Sequence, residues 1–286
     1  MSNTVIAEYG RTRDGILVAR IGYQAFAMMP AENGFHLVKA WGLSGALTDW
    51  TAADFHGGRD DKVDEAGFRE VVEQRVLHHH QLALLDRHSI AARRATRWGS
   101  SQHAVAYGPG IVSHQTAGHG GFELSSERNA QVHPLLRSCD GWYEEDCAWC
   151  AVAIAFPAFF TDLERRTADD ILKQVYPDAW EEIHNATLEH GQSRVKDRRA
   201  FDTENAERWV VIAAILSTQN SGFVECIATL GGHRGGPATG EGLLPVERRF
   251  LVLEERYDIG LFGFVIDEDR DVSYDGPSSF AGWAGR

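Results

Sequence analysis

The chain has 286 residues, 43% hydrophobic and 24% charged, with 28 Lys and Arg against 41 Asp and Glu for a net charge of −13. This composition excludes a disordered chain and supplies enough apolar material for one large domain or two modest ones. The acidic balance argues against nucleic acid as a partner, because backbone binding rests on Lys and Arg neutralising phosphates, and it favours a basic protein partner instead.

The first elements fall in residues 1–97, read as a small N-terminal α/β unit with a basic connector. Ile16 to Ile21 after the Asp14-Gly15 turn, and the alternating Phe35 to Trp41, predict two strands. Asp54 to Asp64 reads as a polar loop, and Asp61 or Asp64 can cap a helix that follows. Phe68, Val71, Val72, Val76, Leu82 and Ala83 share one face of that helix at helical spacing. His78, His79 and His80 invite a metal reading. Consecutive helical residues diverge by about 100°, so the three cannot reach one ion, and a structural or surface role is expected. Ala91 to Arg97, with Arg93, Arg94 and Arg97, is a basic connector into which the helix can continue.

Residues 98–286 read as an α+β main domain. Gln102 to Tyr107 and Gly110 to His114 predict strands around the turn Gly108-Pro109-Gly110, and Phe122 to Leu124 a third. Ser125 or Ser126 can cap a short helix ended by Pro134, and Asp140 an apolar helix running through Ala155. Thr167 to Asp170 resembles a capping box for a helix that stops at Pro177, where Asp178 and Glu181 restart it. The basic run Arg194, Lys196, Arg198 and Arg199 reads as a solvated face. Ala206, Trp209, Val210, Ala213 and Leu216 predict another helix. Phe223 to Leu230, Arg249 to Leu253 and Phe262 to Ile266 predict strands, the first two separated by a Gly/Pro-rich loop from Gly231 to Pro245. The expected fold is α+β, with antiparallel strands flanking a central run of helices.

The chemistry concentrates between Trp98 and Phe160. Two glycines after His119 let the backbone approach a ligand and aim its N–H groups at an anion, or simply make a tight turn. Glu144, Glu145 and Asp146, at the expected helix start, complement the helix dipole. One of them can instead turn inward to pair with His119 or His114 for general acid–base work. His114, His119 and Glu145 are the candidate ligands of a divalent metal, the one cofactor the residues suggest. Cys147 gains thiolate character from a helix N-terminus but loses it to the adjoining acids. Cys147 and Cys150 read either as small buried hydrophobes or as a pair in which Cys147 is a nucleophile served by His119. The candidate catalytic residues are therefore His119, Glu144, Glu145, Asp146 and Cys147, with Thr116, Gly120, Gly121 and Trp142 as substrate contacts.

Four cysteines (Cys139, Cys147, Cys150 and Cys226) do not make a disulfide scaffold. The start Met1-Ser2-Asn3-Thr4 leads into no apolar signal segment, and the longest apolar run, Ala148 to Phe160, is too short to span a bilayer. A cytoplasmic protein without a membrane segment is expected.

The block His114-x-Thr116-Ala117-x-His119-Gly120-Gly121-Phe122-x-Leu124-Ser125-x-Glu127-Arg128, followed by Trp142-Tyr143-Glu144-Glu145-Asp146-Cys147, resembles an uncharacterised domain family of plasmids, phages and integrated elements of proteobacteria. Glu247 to Val252 and Gly263 to Ile266 are similar to that family's ending, so the resemblance runs over about residues 98–266. It implies an accessory protein of a bacterial mobile element, such as one that counters host defence, and it implies no mechanism. Two functional classes follow. One is a hydrolase built on His119 with the acidic helix start. The other is a non-catalytic acidic protein that binds or inhibits a basic host protein, with Asp267, Glu268, Asp269 and Asp271 contributing to a contiguous acidic face.

Overall fold

Tight turns at Gly15, Gly22 and Gly34, all at positive φ, fold the start of the chain into an antiparallel meander. Its strands are β1 (Glu8–Arg11), β2 (Leu17–Ile21), β3 (Gln24–Ala31), β4 (Gly34–Trp41) and β5 (Arg59–Val63), in that spatial order. The computed structural model describes residues 5–56, 59–92, 94–234 and 246–281. It divides the chain into two units, Met1–Ala186 and Thr187–Arg286. In the first sheet, Leu17, Ala19, Ile21, Phe26 and Leu37 pack under Phe68, Val72 and Val76 of α1 (Glu65–Leu84). Val18, Ala25, Ala27, Val38 and Ala40 meet Leu47, Trp50 and Phe55 on the other face. Both expected strands are present. β3 escapes a reading from propensity because it is rich in Ala and Met and contains Pro30. β5 occupies the second half of the expected polar loop. Asp64, whose Oδ1 accepts from Gly67 N at 2.8 Å, caps α1; the Asp61 side chain lies outside the described residues.

The three histidines diverge as the helix geometry requires. His78 Nδ1 lies 2.8 Å from Thr161 Oγ1, and His80 Nε2 lies 2.7 Å from the Val5 carbonyl. His79 Nε2 is buried with no hydrogen-bond partner, and burial, followed by Arg75 and His80, pushes its pKa down.

The basic connector is not helical. After Leu85 the chain forms β6 (His88–Ile90) and the small hairpin of β7 (Ala95–Thr96) and β8 (Gly99–Ser100), which turns at Arg97-Trp98 and resumes at Gly99 with φ +120°. Arg93 lies outside the described residues. The boundary expected after residue 97 falls at the tip of this hairpin, within the first unit. A second antiparallel sheet follows, from β9 (His103–Gly108), β10 (Ile111–Gln115), β11 (Gly120–Leu124) and β12 (Trp142–Glu144), in the order β12-β11-β10-β9-β6. Ser125 caps the short α2 (Ser126–Asn129), which ends well before Pro134.

β12 corrects one expectation. Asp140 does not cap a helix; Gly141 turns the chain at φ +78°, and Trp142 to Glu144 pair with β11. The apolar helix is the shorter α3 (Trp149–Ala155), so the acidic triplet closes a strand and makes a turn. The next helix, α4 (Asp162–Val175), also starts earlier than expected. Its capping box is Thr161 with Glu164, and Thr167 lies inside it, its hydroxyl bonded back to the Leu163 carbonyl at 3.0 Å. α5 (Pro177–His184) has Pro177 in its first turn, as expected. Ile111, Phe122, Leu124 and Tyr143 of the sheet bury against Cys150, Val152, Phe160, Ala168 and Leu172.

The second unit holds α6 (Arg194–Glu204) and the sheet β13 (Trp209–Leu216), β14 (Phe223–Leu230), β15 (Arg248–Leu253) and β16 (Val272–Ser273), ordered β13-β14-β15-β16. The helix expected at Ala206 to Leu216 is strand β13. Its unbroken apolar run fits either period, and pairing along β14 decides it. The basic run lies on α6, where Arg198 pairs with Asp202 at 2.8 Å. Phe262 to Ile266 is not a full strand: it touches β13 through Val211 N to the Phe264 carbonyl and Ile266 N to the Trp209 carbonyl. Most of the loop at 231–245, and Trp283, lie outside the described residues. The secondary structure is α+β with every strand pairing antiparallel. Among the described residues no helix is long and apolar enough to cross a membrane.

Helices α1 and α4 meet at their ends. Gln81 Nε2 donates to Asp162 Oδ2 at 2.6 Å, and Asp162 N donates back to Gln81 Oε1 at 2.8 Å. Arg87 forks onto both Glu164 oxygens at 2.9 and 2.6 Å and also bonds the Phe159 carbonyl. Burial raises the Glu164 pKa, but Arg87 and the Thr161 N–H outweigh it, so the net shift is below the ordinary 4.5. Glu164 therefore stabilises the fold above its ordinary pKa, and this contribution is lost as pH falls through the lowered folded value. Arg87→Met is expected to destabilise the protein by about 3 kcal/mol at neutral pH. In denaturant unfolding, the deficit should narrow as pH falls through the Glu164 transition.

Candidate functional site

The register of β10, β11 and β12 assigns each side chain of the Gly/His block to one of two faces. Ser113 pairs with Phe122 and Phe122 with Tyr143; His114 pairs with Gly121 and Gly121 with Glu144. Side chains alternate along a strand, so the first group faces the helical core and His114 faces away from it. The glycines extend the same division. A Cβ on Gly120 would collide with Glu145 Oε2, whereas one on Gly121 would collide with the Trp98 ring and the Tyr143 carbonyl. Gly121 also has φ +153°, which side-chain-bearing residues rarely adopt. The glycine pair is thus a bare patch of strand closed by the protein's own groups, Glu145 on one side and Trp98 on the other.

On the outer face, His114 is 3% exposed. Its Nδ1 is 3.0 Å from Ser101 Oγ and its Nε2 3.3 Å from Glu123 Oε2. Arg94 extends the chain, pairing with Glu123 at 2.7 Å. The Trp142 ring lies 5.7 Å from the His114 ring and 5.6 Å from the Trp98 ring. Sequence reasoning missed Ser101 and Glu123, both polar residues standing beside more conspicuous neighbours. The signal for Glu123 was its two-residue offset from Gly121, which puts it on the His114 face.

On the inner face a cleft of about 320 Å³ opens between the sheet and the segments carrying α3 and α4. Tyr107, Phe122, Trp149 and Phe160 supply aromatic walls, and Ser113, Gln115, Glu145 and Glu164 supply polar groups. Tyr107 lies 4.9 Å from Phe122 and 5.3 Å from Phe160 between ring centres. The Arg87 guanidinium stacks 3.9 Å from the Tyr107 ring centre while held by Glu164. Burial, and to a lesser degree Glu164, raises the Tyr107 pKa against the opposing pull of Arg87. Glu164 is committed to Arg87. Glu145 is exposed, and its carboxylate pairs with none of the described residues.

The remaining predicted residues scatter. His119 is exposed, and its ring bonds to none of the described residues. Thr116 closes the turn, with its hydroxyl donating to the His119 carbonyl at 2.7 Å and accepting from His119 N at 3.2 Å. Glu144 accepts from the backbone N–H groups of Asp146 and Cys147, which fastens the turn into α3. Asp146 is exposed. Burial, then Glu144 and Asp146, pushes the Cys147 thiol up from 9.0, the wrong direction for an activated nucleophile. Cys150 is fully buried with its thiol raised to about 12, in keeping with the small-hydrophobe reading. The expected metal set does not converge: His114 and Glu145 lie on opposite faces and His119 lies in the connecting turn. Among the described residues no group of three His, Cys, Asp or Glu is arranged to hold a metal ion.

Acidic charge concentrates in this part of the chain. Residues 101–186 contain 13 Asp and Glu against 5 Lys and Arg, whereas residues 1–100 hold 12 of each; Glu123, Asp140 and Glu164 pair with Arg94, Arg97 and Arg87, while Glu145 and Asp146 form no ion pair among the described residues. The acidic face expected at Asp267 to Asp271 is largely neutralised locally. Asp271 is buried and pairs with Arg256, Glu268 pairs with Arg248, and Asp267 with Arg270.

The fold and site together define an α+β protein whose central block frames an aromatic, acid-rimmed cleft. Residues 91–206 match a family described as a domain of unknown function, DUF7007. That stretch begins before Trp98 and ends before Ile266, so Glu247 to Val252 and Gly263 to Ile266 lie outside it. No curated protein and no solved structure matches the chain.

The two-sided closure on the glycine pair makes Gly121→Ala a severe change. It is expected to lower stability by about 3 kcal/mol through strained φ and steric overlap, seen as a large fall in thermal midpoint.

Proposed function

We propose that the chain is a non-catalytic binding module that engages a basic protein partner through the acidic surface beside the Glu145 cleft. The observation that carries this reading is the separation of the block's reactive groups. The sheet parts His114 from Glu145, the His119 ring bonds to none of the described residues, Glu144 is spent on a turn, and burial with the neighbouring acids pushes the Cys147 thiol up. Besides the exposed His119 ring, what the block leaves available to solvent is carboxylate, on Glu145 and Asp146, beside aromatic walls. Acidic surfaces steer basic partners and set specificity. The resemblance to mobile-element proteins makes a host defence or partitioning protein the first class of partner to screen. In affinity capture from a bacterial lysate, the wild type should enrich a basic protein that elutes with salt. The double variant Glu145→Lys/Asp146→Lys should lose it. A partner retained equally by the charge-reversed chain contradicts the reading.

A hydrolytic reading draws on one specific observation, the chain Ser101–His114–Glu123. Its order of burial argues against catalysis. Ser101 is 8% exposed and its hydroxyl also lies 3.1 Å from the His103 carbonyl, whereas the Glu123 side chain is 20% exposed. A substrate would have to reach the more buried end. The binding reading expects a fluorophosphonate probe to leave Ser101 unlabelled. Stoichiometric labelling, abolished by His114→Ala, would favour the hydrolase.

A further inference from the structure

We infer that the inner cleft is a receptor for an arginine side chain, presented by the basic partner; this rests on the partner-binding reading and names the group that the surface recognises. The polar residues lining the cleft include one carboxylate with no partner among the described residues and three side chains that can accept hydrogen bonds. The Glu145 carboxylate, the Ser113 and Tyr107 hydroxyls and the Gln115 amide line it, and their side chains bond to none of the described residues. A guanidinium has five N–H donors and no acceptor, so the Glu145 carboxylate, an acceptor only, is its complement, and the hydroxyl and amide oxygens can accept further bonds. The walls add the second element of guanidinium recognition. Trp149, Phe160, Phe122 and Tyr107 line it, aromatic rings attract a cation, and a volume of about 320 Å³ lies at the small end of ligand sites, suited to one side chain.

The molecule already contains one such arrangement. Arg87 lies 3.9 Å from the Tyr107 ring centre and 5.4 Å from that of Phe160, with its fork on Glu164. The cleft shares the Tyr107 and Phe160 rings with that arrangement and adds Phe122, Trp149 and a second carboxylate, Glu145. Arg87 does not oppose a second cation there, because Glu164 compensates its charge at 2.6 Å. Gly120 has a defined part: any side chain at that position would displace the Glu145 carboxylate from the cleft wall.

The test uses the full chain and two tripeptides, acetyl-Gly-Arg-Gly-amide and its citrulline counterpart, which keeps the shape and removes the charge. Isothermal titration calorimetry at low salt should show binding of the arginine peptide that is at least about fivefold tighter than that of the citrulline peptide. Glu145→Gln should remove most of this preference, and Ser113→Ala, tested as a second variant, should weaken it. Equal binding of the two peptides, or a preference unchanged in Glu145→Gln, overturns the arginine receptor. If neither peptide binds while capture of a basic protein still depends on Glu145 and Asp146, the arginine receptor falls and the partner-binding reading stands. If the arginine peptide binds but capture ignores charge reversal, the partner-binding reading falls, and with it the assignment of the arginine to that partner.

Discussion

Two adjacent glycines at the start of β11 allow the second sheet to be closed on both faces at once, and the rest of the central block depends on this. Gly120 leaves room for the Glu145 carboxylate on the helical side, and Gly121 leaves room for the Trp98 ring on the other. Because neighbouring strand residues point to opposite faces, each polar side chain on the strands of the block is committed to one side. His114, Glu123 and Trp142 join the hairpin that carries Trp98, whereas Ser113, Gln115 and Glu145 join the cleft. Side chains close in sequence are thereby kept from meeting.

The cleft walls are fixed by a second contact, between the start of α4 and the segment leaving α1. Thr161 and Glu164 form a reciprocal capping box, and Glu164 also holds Arg87, whose guanidinium covers Tyr107. One carboxylate thus satisfies a helix N-terminus, neutralises a mostly buried cation and sets a ring that faces the cleft. Such a shared arrangement is costly to break at any member, since removing one partner leaves another unsatisfied in a poorly solvated place. The rigidity of this corner suits recognition, which gains when the binding groups are held in place beforehand.

Much of the fold was legible in the sequence where period and turn chemistry agree. The hairpin at Gly108-Pro109-Gly110, the Asp64 cap and the α5 restart at Pro177 all follow local rules. The failures occur where local rules compete. Asp140 is an acceptable helix cap, but Gly141 at positive φ and the aromatic pair Trp142-Tyr143 favour pairing with β11. Trp209 to Leu216 satisfies a helical spacing, yet its β-branched residues pair along β14. The sequence gathers the titratable residues in one stretch, but the strand register does not bring them to one centre. Titratable residues clustered in sequence suggest a common centre, and only strand register reveals that a sheet lies between His114 and Glu145. Ser101, at the edge of the stretch, and Glu164, beyond it, could not be tied to the Gly/His block without that register.

The division of the block into two faces, with recognition on the inner one, is the central claim. The most direct measurement follows the indole N–H resonances of Trp98, Trp142 and Trp149, assigned by single Trp→Phe substitutions, during titration of the whole chain with acetyl-Gly-Arg-Gly-amide. The account predicts that the Trp149 resonance moves with saturation while those of Trp98 and Trp142 stay in place. Movement of Trp98 and Trp142 with Trp149 unmoved would put recognition on the outer face and contradict it.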